Sequence, residues 1–141
     1  MSACVETVLT SSLRLQSRAD MLLAAQVLAA VVLLLHVYFV LVETVLYRSR
    51  GYKVFGIPKD QMESHAAAMS NQGCYNGFLV AAIAFGLFYP EPAIARAFMV
   101  YGLLCVVVAG IWGAVTVSKR ILFIQALPAA LALIAFYLVK T

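Results

Sequence analysis

Two ionisable residues sit inside long apolar runs, at a spacing that places them on one helix face. His36 and Glu43 are seven residues apart, two helical turns, and Tyr47 lies close to the same stripe. An imidazole in such a setting can act as acid or base, and a neighbouring carboxylate can tune or orient it. Amides that could fix a polar ligand group follow. Asn71 and Tyr75 are one turn apart, as are Gln72 and Asn76, and Trp112, Thr116 and Gln125 come later. No nucleophile–base pair or metal-ligand spacing selects a reaction type, and no cofactor is specified, so whether the chain is an enzyme stays open at this point. The cysteines Cys4, Cys74 and Cys105 form no C-x-x-C pair. Cys74 and Cys105 read as packing residues, and Cys4 as at most a weak lipidation signal. No disulfide framework or metal site is indicated.

The elements that must hold these residues follow from composition. Of 141 residues, 65% are hydrophobic and only 11% charged, against about 25% charged in soluble domains. A soluble fold of this size could not cover so much apolar surface with so few charges. The net charge of +4 does not point to nucleic acid, because the cations form short clusters between apolar runs: Arg14 and Arg18, Arg48 through Lys59, Lys119 and Arg120. The expected partner is the lipid bilayer.

A helical span needs about 20 mostly apolar residues. Four segments qualify: residues 21–47, 60–89, 97–117 and 121–139. They predict an all-α integral membrane bundle of four antiparallel transmembrane helices, spanning residues 21–141. Residues 1–20 form a polar N-terminal tail, read as partly disordered. Gly51 and Gly56 mark the first loop, and Pro58, Asp60 and Glu63 suit the start of the second helix. Pro90, Glu91 and Pro92 end it. Lys119 and Arg120 lie in a turn too short for anything but an antiparallel hairpin. Pro128 predicts a kink in the last span. Gly73 and Gly77 form G-x-x-x-G, and Gly102, Gly110 and Gly113 fall near one face of the third span. These are expected to let helices inside the chain approach closely, with a dimerisation motif as the alternative.

Antiparallel spans put the first and third loops on one side, and the polar residues gather in that half. His36, Glu43, Tyr47, Asn71, Gln72, Tyr75, Asn76, Trp112, Thr116 and Gln125 thus predict a polar intramembrane cavity near those loops. The opposite half holds little beyond Gln26. Each residue also has a plain reading: Glu43 snorkelling or pairing with a loop arginine, His36 a neutral hydrogen-bonded imidazole, the amides interhelical ties.

The same residues carry a resemblance. H-V-Y-F-V-L-V-E (residues 36–43), K-V-F-G (53–56), N-Q-G-C-Y-N-G-F-L (71–79), V-A-G-I-W-G-A-V-T-V (108–117) and F-I-Q-A-L-P-A (123–129) occur in order. Together they resemble the family of small membrane proteins called domain of unknown function 1304, from Met21 to the C-terminus. The resemblance implies a four-span membrane protein and lends no activity, substrate or cofactor.

Three functions are consistent with these features. The leading one is a protein that binds a lipid or small molecule in the polar cavity. The others are a component transporting protons or a small solute, which would need a homo-oligomer at this size, and a structural or assembly subunit of a membrane complex. The loops on the cavity side hold six cations (Arg48, Arg50, Lys53, Lys59, Lys119, Arg120) against four on the other (Arg14, Arg18, Arg96, Lys140). The positive-inside rule then puts both termini outside and the cavity toward the cytoplasm, with the plasma (inner) membrane as the default location.

Overall fold

The computed structural model describes the backbone of residues 2–140 and the side chains of residues 7–139. The first helix, α1, runs Ser2–Glu43. It therefore continues back through the stretch expected to be a partly disordered tail. The reason is local. No glycine or proline occurs before Gly51, and several of the described polar side chains satisfy themselves along the helix. The Thr10, Ser11 and Ser12 hydroxyls donate to carbonyls three residues back, and Gln16 Nε2 donates to Asp20 Oδ1 at 3.1 Å. Cys4 lies outside the described side chains.

α1 ends without a proline or glycine. Thr44 donates its hydroxyl to the Val40 carbonyl, a back-bond that bends helices. Leu46 N–H then reaches five residues back, to the Leu41 carbonyl at 2.8 Å. A π-helical turn follows at Tyr47–Gly51, then the short α2 at Tyr52–Val54. Gly56 takes a left-handed φ of 68°, which glycine adopts at little cost. A 3₁₀ turn at Lys59–Gln61 leads into α3, Met62–Phe88.

Tyr89 is extended ahead of Pro90, as the proline ring demands. Glu91 then caps α4, Pro92–Thr116, accepting from the Ala93 and Ile94 amides at 3.2 and 2.8 Å, with Pro92 in the first turn. After the turn at Ser118 the chain re-enters a helix that is π-wound at Leu122–Ala126 and regular over α5, Leu127–Lys140. Pro128, where the sequence predicted a kink, lies in the regular helix two residues beyond this widened turn. A proline ring collides with the carbonyl four residues back, here that of Ile124, and a π turn makes room for it.

α1 packs against α3 and α5, α3 also against α4, and α4 against α5. Neighbours run in opposite directions. Gly86 meets Met99 while Gly102 meets Ile83, and Gly110 meets Ala126 while Gly113 meets Ile121. At the far end Arg96 donates to the Phe136 carbonyl at 3.2 Å. Ala29, Val32, Ile83, Met99, Leu103, Val106, Ala129 and Ala132 form the buried core. In α1 the buried positions step 25, 29, 32, 36, then 42 and 43, so His36 and Glu43 continue the core stripe. Three helical stretches, Thr7–Glu43, Pro92–Thr116 and Leu122–Val139, are long and apolar enough to cross a membrane. α3 is not among them: up to its middle it carries Glu63, Ser64, His65, Asn71, Gln72 and Asn76. Large apolar side chains such as Leu34, Phe78, Val108 and Tyr137 face outward, as lipid-facing surfaces do and soluble ones rarely do.

The glycines divide by neighbour rather than sharing one face. Gly102 lies against α3, whereas Gly110 and Gly113 lie against Ala126 and Ile121. Of the G-x-x-x-G pair, Gly73 meets Thr44 and Glu43 of α1, but a Cβ at Gly77 would touch nothing within 4 Å. Gly77→Ala is therefore expected to raise stability by about 0.5–1 kcal/mol, through reduced chain entropy. Gly86→Ala, whose Cβ would lie 2.7 Å from the Met99 Cα, is expected to lower it by about 1–3 kcal/mol. Denaturant unfolding of the two variants side by side checks both signs.

Candidate functional site

The polar residues do not converge into one chamber. They fall into two centres on α1, and several of those expected to join lie on the outside.

The deeper centre joins α1 to the π turn that leads into α5. His36 is 1% exposed. Its Nδ1 lies 2.8 Å from the Val32 carbonyl, and because a carbonyl only accepts, Nδ1 carries the proton. Nε2 is then the acceptor, and the Gln125 amide donates to it at 3.3 Å. Phe39 meets the ring edge-on at 5.5 Å. Both ring nitrogens are thus engaged within the chain, as in the plain reading of a neutral hydrogen-bonded imidazole.

The second centre lies at the seam of α1 and α3, beside the first loop. Glu43 is 5% exposed and Asn76 equally buried, and Asn76 Nδ2 donates to Glu43 Oε2 at 2.6 Å. Gly73, one turn before Asn76, brings the helices close enough for this bond, its Cα lying beside Glu43 and Thr44. Tyr47, 2% exposed, donates its hydroxyl to the Met62 carbonyl at 3.1 Å, tying the loop to the start of α3. Arg48 does not pair with Glu43. It reaches Glu63 instead, with Nε to Oε1 at 2.9 Å and Nη2 to Oε2 at 3.1 Å. Both side chains are more than half exposed, and exposed pairs contribute little to stability.

Between these groups is a cleft of about 420 Å³, open at its mouth and lined by Glu43, Thr44, Tyr47, Arg48, Glu63, Ala66, Ala67 and Ser70. The residues on α3 that line it were not among those singled out by sequence. Ala66 and Ala67 carry no polar group, and the single hydroxyl of Ser70 is too common a feature to announce a site. Their signal is small size at helical spacing opposite Glu43.

Asn71, Gln72 and Tyr75 are exposed on the outer side of α3, and Trp112 and Thr116 on the outer side of α4. Thr116 donates to the Trp112 carbonyl at 2.8 Å, and Tyr75 meets Phe78 edge-on. The reason is helical phase. Of the polar opening of α3, only Asn76 shares the inward side with Gly73 and Ile83. Cys74, expected to be packed, is also exposed.

These elements define a helical protein with three helices able to cross a membrane and two polar seams at one end. The chain belongs to the family described as "Protein of unknown function (DUF1304)", which matches residues 16–137. The match starts five residues before Met21, taking in the end of the stretch read as a tail. No curated protein and no solved structure matches the chain.

Proposed function

We propose that α1, α3, α4 and the helix ending in α5 all cross the membrane, and that the cleft beside Glu43 binds a lipid headgroup or small polar molecule. α3 has 27 residues, about 40 Å of helix, and packs along both α1 and α4. Its polar opening lies level with the ends of its neighbours, so Tyr75 and Trp112 fall where aromatic side chains favour the headgroup region. The charge count of the loops supports a cytoplasmic mouth for the cleft and termini on the opposite side.

The observation that carries the binding reading is the placement of Glu43. A carboxyl group buried at a helix seam is costly unless compensated. Here an amide, not a cation, is its bonding partner, and it borders open space. A group kept for folding alone would be sealed by packing. A cleft of this size has room for a headgroup.

Mass spectrometry of molecules retained by the full-length protein, purified from native membrane in a polymer disc, tests this. A discrete retained molecule that is lost in Ala67→Trp, which fills the cleft from an exposed position, supports the reading. No retained molecule, or one unaffected by Ala67→Trp, sinks it.

A further inference from the structure

The hydrogen-bond accounting of the cleft specifies the chemistry of what fits it. Thr44 spends its hydroxyl proton on the Val40 carbonyl, and Tyr47 spends its own on the Met62 carbonyl. Each hydroxyl therefore offers the cleft lone pairs rather than a donor. Glu43 takes one bond from Asn76 on Oε2. Among the described residues no buried side-chain oxygen lacks a partner, so its other oxygen is not sealed in, and Glu43 lines the cleft. The donor-bearing cation on the wall, Arg48, is held in a fork by Glu63. Two carboxyl groups against one guanidinium leave the lining with a formal charge of −1, and besides Arg48 the Ser70 hydroxyl is the donor on its walls. A carboxylate or phosphate would meet this excess of negative charge, and the Arg48 fork that suits such groups best is already given to Glu63.

We propose that the group this cleft receives is a protonated primary or secondary amine, its N–H donors directed at the Glu43 carboxyl and the Tyr47 and Thr44 oxygens. This rests on the cleft being a binding site at all. The amine can come from a lipid headgroup or from a free small molecule, and both present the same donors. Arg48 tempers the site: by neutralising Glu63 it limits how strongly the mouth attracts a cation.

The test uses the full-length protein in discs of phosphatidylglycerol, which has no amine, and reads the affinity of four probes from ligand-induced shifts in the unfolding midpoint. Octylammonium is expected to bind, and octanoate is not. Octyltrimethylammonium, equal in charge but without N–H donors, is expected to bind about tenfold more weakly, since a charge-assisted hydrogen bond is worth roughly that factor or more. Ethanolamine, set against discs containing phosphatidylethanolamine, distinguishes a free amine from a lipid source. Glu43→Gln is expected to weaken octylammonium binding about tenfold or more, and Arg48→Gln, which frees Glu63, to tighten it. Octanoate binding as well as octylammonium, or octylammonium unaffected by Glu43→Gln, overturns the proposal. Should Glu43→Gln fail to fold, Arg48→Gln decides: no tightening overturns it. A molecule retained from native membrane that lacks an amine sinks this proposal while leaving the binding reading intact. A cleft that retains nothing sinks both.

Discussion

Gly51→Ala is expected to dislodge the first loop from the end of α1 and to cost about 3 kcal/mol or more. Gly51 has an ordinary right-handed helical conformation, φ −59° and ψ −46°, so backbone freedom is not why glycine stands here. The reason is contact. A Cβ at this position would overlap the Val42 carbonyl oxygen and come within 3.0 Å of its carbon and 3.1 Å of the Tyr47 ring. The obstacle is backbone, which cannot rotate away as a side-chain tip can. Three amides, of Ser49, Arg50 and Gly51, also converge on the Leu46 carbonyl at 2.8–3.2 Å, so a shift at Gly51 strains the whole π turn. Tyr47 and Arg48, two walls of the cleft, ride on that turn. The variant is thus expected to lose both stability and ligand retention. Thermal unfolding and mass spectrometry of the same preparation check it, and a variant that melts with wild type would remove the loop from this account.

The second large effect belongs to His36. His36→Ala removes a ring that is 1% exposed, opens a cavity next to Val32 and deprives the Gln125 amide of its acceptor. The combined cost is about 2–4 kcal/mol. The pattern across variants is more diagnostic than the size. His36→Leu alone leaves Gln125 unpaired, and Gln125→Leu alone leaves a ring nitrogen unpaired. The double replacement removes both polar groups, and is expected to be more stable than the sum of the single losses predicts. A double-mutant cycle by denaturant unfolding reads this directly. Strict additivity would mean that the 3.3 Å contact contributes nothing, and would return His36 to the list of groups available for chemistry.

Both effects bear on what could be read from the sequence. The helical class and the polar end were legible, because apolar length and the seven-residue step from His36 to Glu43 are one-dimensional signals. The continuous α1 was not. Its first twenty residues look polar, yet the Thr10, Ser11 and Ser12 hydroxyls and the Gln16 amide are satisfied within one helix and need no core. The arrangement of the ten polar residues was only partly legible for a related reason. Sequence places residues in the same half of a span but not on the same face of the bundle. Asn76 turns inward because Gly73 fixes the seam, while Asn71, Gln72 and Tyr75, within a turn or so, turn outward. Trp112 and Thr116 follow the outer side of α4 for the same reason, since Gly110 and Gly113 set its inner side. The tie of Arg48 to Glu63 rather than Glu43 depends on the loop folding back over α3, which no local pattern encodes.

The binding reading requires that Glu43 be retained for the cleft and not for the fold. Glu43→Gln keeps the volume and still accepts from Asn76, while removing the charge. The measurement is the thermal unfolding midpoint of this variant in ligand-free discs. A midpoint equal to wild type or higher is expected, with any decrease no more than about 3 °C, because a buried carboxyl held for function costs stability that the amide does not. A decrease of about 10 °C or more would show that the carboxyl holds α1 against α3, and would contradict the account.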